Sequence, residues 1–185
     1  MSQQELLILV IEALDRLNVD YFITGSWSSS LLGEPRSTHD LDLVVNIGPA
    51  MVDSLVASFS DEQFYLSTAA VSAAIQNGSM FNLLDLHSGD KVDFWLLTEE
   101  PWDQERFQRR QQADVFGTVV SVSSAEDTIL AKLRWSKLSG GSEKQIQDAQ
   151  GVYEVQRSRL DMAYIDQWAN QLDITELWAQ IKTSD

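Results

Sequence analysis

Two apolar runs near the middle of the chain are separated by a short polar segment, which is the pattern of a β-hairpin. The runs are Phe81–Leu86 and Lys91–Leu96, and the segment between them is His87-Ser-Gly-Asp90. Other strand-like segments precede and follow this hairpin: Tyr21–Ile23, Leu41–Val45 and Phe116–Val122. Helix-like segments alternate with the strands, so the chain up to residue 122 is expected to form a mixed sheet of the α/β class.

Helical patterns also occur within this first part of the chain. Ser2-Gln-Gln-Glu5 has the spacing of a capping box and precedes apolar residues at the period of an amphipathic helix. Three shorter helices are expected, at 27–32 (closed by Gly33), at 50–59 and at 103–112. The alanine-rich stretch 68–76 fits either a helix or a loop.

From residue 123 onward the pattern is helical. Capping-box spacing at Ser123/Glu126 and at Ser142/Gln145 predicts two helix starts. Two further helices are expected at 162–171 and 175–183. These patterns predict a core over residues 1–122 and a C-terminal helical region over residues 123–185 that packs on the core.

The composition is that of a folded protein in a reducing compartment. The 185 residues are 44% hydrophobic and 22% charged, and they include no cysteine. Disulfides and cysteine-ligated zinc or iron–sulfur sites are therefore excluded. No apolar run approaches the roughly 20 residues of a membrane span, and the N-terminus lacks the basic start of a secretory signal. We expect a cytoplasmic protein without a membrane partner.

The formal net charge of −15 argues against a general nucleic-acid binder, because phosphate backbones are held by lysine and arginine. The charge is unevenly distributed, however. Residues 106–159 contain nine of the thirteen basic residues and six acidic ones, so this segment carries +3 and the remainder −18. Two interpretations are open: solvated helix faces, or a local basic surface that receives a polyanion.

Two carboxylates are expected on one face of the strand that contains Leu41–Val45. Alternate residues of a strand share a face, so Asp40 and Asp42 point the same way and Leu41 and Leu43 point the other way. Neighbouring carboxylates repel each other unless a cation lies between them. Hard oxygen ligands suit Mg²⁺ or Mn²⁺, which bind one or two protein carboxylates together with substrate phosphates. The alternative is a solvated pair of acids at a strand edge.

A phosphate seat is predicted upstream of this strand. Gly25 and Ser26 follow a predicted strand and open a predicted helix, where backbone N–H groups and a hydroxyl can hold a phosphate. Arg36 and Thr38 continue the two-residue alternation into Asp40, which puts a cation and a hydroxyl on the same face. The alternatives are an ordinary glycine turn with a serine N-cap and a surface arginine.

A third acid is expected in the second strand of the hairpin. Asp93 lies between Val92 and Phe94 in a hydrophobic strand, where a carboxylate is costly to bury unless something pairs with it. Asp85 and Asp90 compete for this role, one on the preceding strand and one in the turn. We favour Asp93.

These motifs together resemble the nucleotidyltransferase superfamily that includes DNA polymerase beta. The shared order is a strand, Gly-Ser, a helix, an Asp-x-Asp strand and a later strand with Asp. The version with Arg36, Thr38, Lys132 on a following helix and a Lys144-to-Asp148 helix is similar to bacterial abortive-infection type nucleotidyltransferases, which include toxins of toxin–antitoxin pairs. Lys144-Gln145 stands where those toxins often have Arg-Asp, so an i,i+4 ion pair between Lys144 and Asp148 is the alternative there.

The resemblance implies catalytic roles for the three acids. Asp40 and Asp42 bind one or two Mg²⁺ ions (or Mn²⁺), and Asp93 completes the metal site and helps deprotonate the attacking group. Two metals stabilise the attacking and leaving oxygens of an in-line displacement that releases pyrophosphate. Residues 1–122 are then the catalytic core.

The resemblance also implies that the phosphates of a nucleoside triphosphate are held by residues outside the acid set. Gly25 and Ser26 hold the β- and γ-phosphates, with Arg36 and Thr38 beside them, and Lys132 neutralises triphosphate charge. Lys132 lies next to an apolar helical stripe, and a surface lysine with a buried stem is the alternative for it.

The predicted activity is metal-dependent transfer of a nucleoside monophosphate to an acceptor that the sequence does not identify. An RNA end such as that of a tRNA, a protein hydroxyl and a small molecule all remain open, as does a cognate antitoxin partner. One alternative is a catalytically inactive binding or regulatory module, although retention of three mutually repelling acids argues against it. A metal-dependent glycosyltransferase fits less well, because it explains neither Gly25-Ser26 nor Asp93.

Overall fold

The computed structural model describes residues 1–35, 40–59 and 62–183. Within these residues the strands are β1 (Tyr21–Thr24), β2 (Asp40–Val45), β3 (Phe64–Tyr65), β4 (Met80–Asp85), β5 (Lys91–Leu96), β6 (Gln111–Val115) and β7 (Thr118–Val122). The helices are α1 (Gln3–Arg16), α2 (Gly25–Leu32), α3 (Val52–Ala57), α4 (Thr68–Asn77), α5 (Pro101–Gln108), α6 (Ala125–Leu138), α7 (Glu143–Gln156), α8 (Met162–Gln171) and α9 (Thr175–Thr183). A 3₁₀ turn, Pro49–Met51, precedes α3.

Two compact units divide the chain. The first has the bounds Met1–Thr24 and Thr38–Val122, and the second has the bounds Gly25–Ser37 and Ser123–Asp185. The first unit contains the sheet with α1, α3, α4 and α5, whereas the second contains α2 and α6 to α9. The mixed α/β class expected from the sequence is confirmed, and the assignment of a core to 1–122 and a helical region to 123–185 stays a prediction.

The first unit is built on one seven-stranded sheet with the order β3-β4-β5-β2-β1-β7-β6. The middle strand β2 runs parallel to β5 and antiparallel to β1, while β1 runs parallel to β7. The predicted hairpin is present as the antiparallel pair of β4 and β5. Because β2 has a hydrogen-bonded neighbour on each side, the side chains that it carries are held at a rigid part of the sheet.

The two faces of this sheet differ in chemistry. One face is apolar: Leu43 of β2 and Phe94 of β5 are fully buried, and the ring of Phe94 stacks on Phe81 of β4 with the centroids 4.9 Å apart. The opposite face is divided along the strands. Its apolar end is a cluster in which Trp95 and Leu97 pack against three buried residues, Phe22, Val44 and Phe107. Its polar end carries the acids of β2 and β5.

The second unit is organised around α6 and α7. The loop between them contains Gly140 and Gly141, whose φ angles of +80° and +100° favour glycine. Both helices pack against each other and against α2. No helix within the described residues of either unit is both long and apolar enough to cross a membrane.

Gly33 follows α2 as expected. It is not a left-handed helix cap, however, because its φ angle is not positive. A Cβ at Gly33 would lie 2.7 Å from the backbone nitrogen of Val152 and 2.8 Å from the carbonyl carbon of Gly151. Glycine is needed here because the chain after α2 lies against the backbone of α7.

Replacing Gly33 by alanine is therefore expected to destabilise the fold by about 1–3 kcal/mol, since backbone atoms must move to admit the methyl group. Gly48→Ala is the matched control, because a Cβ at Gly48 meets nothing within 4 Å. Urea unfolding followed by circular dichroism measures both variants. Equal midpoints for the two would contradict the packing argument.

Two local expectations were wrong, and a third was confirmed only in its helix start. The helix predicted for 103–112 ends at Gln108, and the residues that follow form the edge strand β6. The N-cap of α6 is Ser124, whose hydroxyl accepts from the Asp127 N–H, and not Ser123 with Glu126. Ser142 does precede α7, but its side chain makes no capping hydrogen bond. The box at Ser2 and Glu5 is confirmed.

Candidate functional site

The strand register brings the predicted acids of the first unit together. β2 and β5 are parallel neighbours in which Asp42 lies opposite Asp93 and Asp40 lies opposite Lys91. Residues two apart on a strand share a face, and neighbouring strands lie about 4.8 Å apart, so these four side chains form one polar patch. Asp40 is exposed, Asp42 is half-buried and Asp93 is 8% exposed.

Both oxygens of the Asp93 carboxylate have partners. The side-chain amide of Asn82, opposite on β4, donates to Oδ1, and the Lys91 ammonium lies 2.8 Å from Oδ2. The hydrogen bond to Asp93 raises the pKa of Lys91, and the charges of Asp93, Asp40 and Asp42 add to this rise, whereas burial opposes it. The cost expected for burying Asp93 is thus offset by a cation and an amide.

Asp42 is oriented by the apolar cluster next to it. The indole Nε1 of Trp95 donates to Oδ1 of Asp42 over 3.3 Å. Trp95 itself packs against the cluster of Phe22, Val44 and Phe107, so its ring is fixed by packing. Trp95, at the boundary between the polar and apolar ends of the sheet face, therefore helps to orient the Asp42 carboxylate.

The donor set of the patch fits a hard divalent cation. Its oxygens come from carboxylates on adjacent central strands, with no sulfur and no imidazole among them, which suits Mg²⁺ or Mn²⁺. Among residues 1–35, 40–59 and 62–183, however, no three acidic, histidine or cysteine side chains already converge as a ligand set. The ammonium of Lys91 instead contacts Asp93 directly.

The two acids that competed with Asp93 have other positions. Asp85 is buried at the end of β4, where its Oδ1 accepts the N–H groups of His87 and Ser88 in the hairpin turn. Burial alone would raise the pKa of Asp85, but these donors outweigh it and the pKa lies below its usual value. Asp90 lies in the same turn, outside both strands.

The second unit contains the predicted phosphate seat. Gly25 opens α2 with a φ of +66°, a conformation that only glycine adopts without strain. Ser26 is in the first turn of the same helix, and the Lys132 ammonium lies 3.5 Å from its hydroxyl oxygen. A turn of this kind exposes helix-start N–H groups and is suited to an anion. Arg36 and Thr38, predicted to lie beside it, are outside the described residues.

Lys132 is a buried cation and not a surface lysine. It is 3% exposed, and its ammonium lies 2.7 Å from Oδ2 of Asp148 on α7. Asp148 thus pairs with Lys132, whereas the sequence suggested Lys144 as the alternative partner. The sequence did contain a signal for this pair. Lys132 and Asp148 lie eight residues before and after Gly140, so a helix hairpin that turns at Gly140 brings them together.

Part of the positive charge of segment 106–159 is paired with acids. Four of its cations contact carboxylates in ion pairs: Arg106 with Asp103, Arg110 with Asp20, Lys132 with Asp148 and Lys137 with Asp173. Arg106 and Arg110 also lie over aromatic rings. These contacts favour the first interpretation of the segment, in which its positive charge balances neighbouring acids.

Solved structures with a similar fold include antibiotic adenylyltransferases and a nucleotidyltransferase-like protein. ANT(2'')-Ia in complex with adenylyl-2''-tobramycin is 15% identical, with 99% of this chain and 98% of that chain covered and a TM-score of 0.58. The lincomycin-bound lincosamide antibiotic adenylyltransferase LnuA is 11% identical, with 84% and 98% covered and a TM-score of 0.57. An antigenic nucleotidyltransferase-like protein from Paracoccidioides brasiliensis is 21% identical, with 100% and 95% covered and a TM-score of 0.56.

A family model matches most of the sequence. The model described as aminoglycoside-2''-adenylyltransferase covers residues 6–165, which include all the predicted site residues. A comparison with curated proteins found no match. Nucleotidyltransferases generally use divalent metal ions, which agrees with the carboxylate oxygens on β2 and β5. The chain is therefore a nucleotidyltransferase that belongs to the aminoglycoside-2''-adenylyltransferase family.

Proposed function

We propose that the protein transfers a nucleoside monophosphate from a nucleoside triphosphate to a hydroxyl group of a small cationic acceptor of the aminoglycoside class. The observation that carries the proposal is the register of β2 and β5, which sets Asp42 opposite Asp93 on one polar patch. The family match over residues 6–165 supports the acceptor class. Residues 1–122 act as the catalytic core in this proposal, and residues 123–185 as its C-terminal helical region.

The charge of the chain supports a cationic acceptor. A net charge of −15 attracts a polyamine-like molecule and repels RNA. Apart from Lys132, three cations of the 106–159 segment (Arg106, Arg110 and Lys137) are already paired with acids, which further weakens the case for an RNA-binding surface. Transfer to an RNA end by a toxin with a cognate antitoxin is the second candidate, favoured by the local charge of +3 in that segment.

The reaction is an in-line displacement at the α-phosphorus. The acceptor hydroxyl oxygen forms a bond to the α-phosphorus, the bond between this phosphorus and the α,β-bridging oxygen breaks, and pyrophosphate leaves with the bonding electrons. A divalent ion, Mg²⁺ or Mn²⁺, supplies charge neutralisation for the phosphates when it is bound.

The scheme assigns these residues to metal binding, proton transfer and phosphate binding. Asp40 and Asp42 hold the metal, and Asp93 completes the metal site and accepts the proton of the attacking hydroxyl. Gly25 and Ser26 bind the β- and γ-phosphates through the start of α2. Lys132 neutralises triphosphate charge, with Arg36 and Thr38 assigned to the same phosphates from the sequence.

The test is a transfer assay with separate acceptor arms. The protein is incubated with Mg²⁺ or Mn²⁺ and each α-labelled nucleoside triphosphate in turn, with tobramycin, lincomycin or total bacterial RNA as acceptor. We expect the mass of tobramycin to increase by one nucleotide, with stoichiometric pyrophosphate release. Label in RNA would instead support the toxin candidate. Binding of nucleotide without transfer to any acceptor would support the inactive binding module.

A further inference from the structure

We propose that Lys91 is a built-in counter-ion of the acid patch, which a divalent ion must displace from Asp93 to bind there. Lys91 therefore weakens metal binding to the free protein. The inference rests on the metal-binding role proposed above for Asp42 and Asp93. It assigns a function to a residue that neither the sequence motifs nor the reaction scheme uses.

The position of Lys91 follows from the strand register. It is the first residue of β5, lies opposite Asp40 on β2 and shares its face with Asp93 two residues later. Its ammonium nitrogen lies 2.8 Å from Oδ2 of Asp93, and the charges of Asp40 and Asp42 also attract it. The amide of Asn82 binds the other oxygen of Asp93. An incoming cation therefore competes with these two donors for the oxygens of Asp93, and the nearby ammonium also repels it.

Lys91 is the donor that is easier to displace. Its side chain is 43% exposed, so the ammonium can exchange the carboxylate for water while its flexible stem swings aside. Asn82 is held opposite Asp93 by the backbone pairing of β4 and β5. In the free protein the Lys91 ammonium thus supplies the positive charge next to Asp93. It moves away when a divalent ion binds there.

The charge balance explains why such a counter-ion matters. Three carboxylates with one ammonium carry a net charge of −2, which one divalent ion neutralises. Without the ammonium the same three carboxylates carry −3, and a divalent ion is attracted more strongly. Lys91 therefore weakens metal binding in the absence of nucleotide, and the phosphates that arrive with the nucleotide strengthen it by adding negative charge.

The experiment measures Mn²⁺ binding to the metal-free, nucleotide-free full-length protein by electron paramagnetic resonance. Lys91→Met is expected to bind Mn²⁺ about tenfold more tightly than the unsubstituted protein. The variant lacks the positive charge next to Asp93, and one charge at this distance changes the proton affinity of a carboxylate by about tenfold or more. Lys91→Arg, which keeps the charge, is expected to bind Mn²⁺ with nearly the original affinity. Salt is expected to reduce the difference.

Arg110→Met is the matched control, since it removes one positive charge from the same unit. Arg110 pairs with Asp20, which precedes β1, whereas Asp42 lies opposite Thr24 at the other end of that strand. Its Mn²⁺ affinity is expected to stay unchanged. Equal or weaker Mn²⁺ binding by Lys91→Met would overturn the inference.

A second comparison separates this inference from the proposed metal site. Asp42→Asn is measured in the same titration, alone and combined with Lys91→Met. If none of the proteins binds Mn²⁺ more tightly than Asp42→Asn does, the metal role of the acids fails and the counter-ion role fails with it. If Asp42→Asn loses binding but Lys91→Met gains none, only the counter-ion role is overturned.

Discussion

Asp42→Asn is expected to lower the rate of nucleotidyl transfer at least about a hundredfold. The substitution keeps the size of the side chain and its acceptor for the Trp95 indole N–H, but it removes the charge that faces Asp93. Loss of one preorganised charged group at a reacting phosphate typically costs a factor of about 10² to 10³. Pyrophosphate release with tobramycin as acceptor measures this rate.

Asp90→Asn provides the control for this prediction. Asp90 is in the turn between β4 and β5 and was a sequence candidate for the third acid. Its substitution is expected to leave the transfer rate within about twofold, as is usual for surface changes away from a site. A hundredfold loss in Asp90→Asn together with full activity in Asp42→Asn would reverse the assignment of the metal-binding acids.

Lys132→Met is expected to cost about 3–5 kcal/mol of unfolding free energy, which is the largest stability effect that we predict. The substitution leaves the Asp148 carboxylate buried without the ammonium that lies 2.7 Å away. Breaking a buried ion pair from one side carries a cost of this size, whereas replacing both partners by apolar groups is often close to neutral. Denaturant unfolding measures the difference.

The double variant Lys132→Met/Asp148→Leu separates packing from function. We expect it to regain most of the stability lost in Lys132→Met, but not the transfer rate, because the triphosphate then lacks its lysine. Lys182→Met is the control in the same unit. It breaks an exposed pair with Asp166, with side chains 34% and 55% exposed, which contributes about 0–1 kcal/mol. A double variant that is both stable and active would remove Lys132 from the phosphate site.

Local patterns were sufficient to predict most of the elements. The polar turn 87–90 correctly predicted the β4–β5 hairpin, and the spacing of Ser2 and Glu5 correctly predicted the start of α1. Ser123 with Glu126 and Ser124 with Asp127 have the same spacing, so both pairs fit a helix cap. Sequence spacing alone therefore could not select Ser124 with Asp127. The edge strand β6 was missed because its exposed, glutamine-rich start resembles the polar face of a helix.

The candidate site was less predictable from the sequence than the fold. Alternation along a strand gives the shared face of Asp40 and Asp42, and the same rule puts Lys91 on the face of Asp93. The pairing of β2 with β5, however, joins residues about fifty positions apart, and nothing local specifies that Asp42 faces Asp93. For Lys132, the equal spacing of Lys132 and Asp148 about Gly140 is a sequence signal, and the packing of α6 on α7 brings the two side chains together.

The three chain crossings between the compact units limit how this protein can be divided into fragments. α2 is in the second unit, although it precedes six of the seven strands of the first. A fragment that stops at residue 122 would keep α2 but lose α6 and α7, on which α2 packs. A fragment that starts at residue 123 would lack Gly33, so the part of the α7 backbone that Gly33 contacts would be exposed. Neither unit can therefore be expressed as one continuous segment of the chain. Designs that split the protein or exchange one unit must supply both segments of each unit.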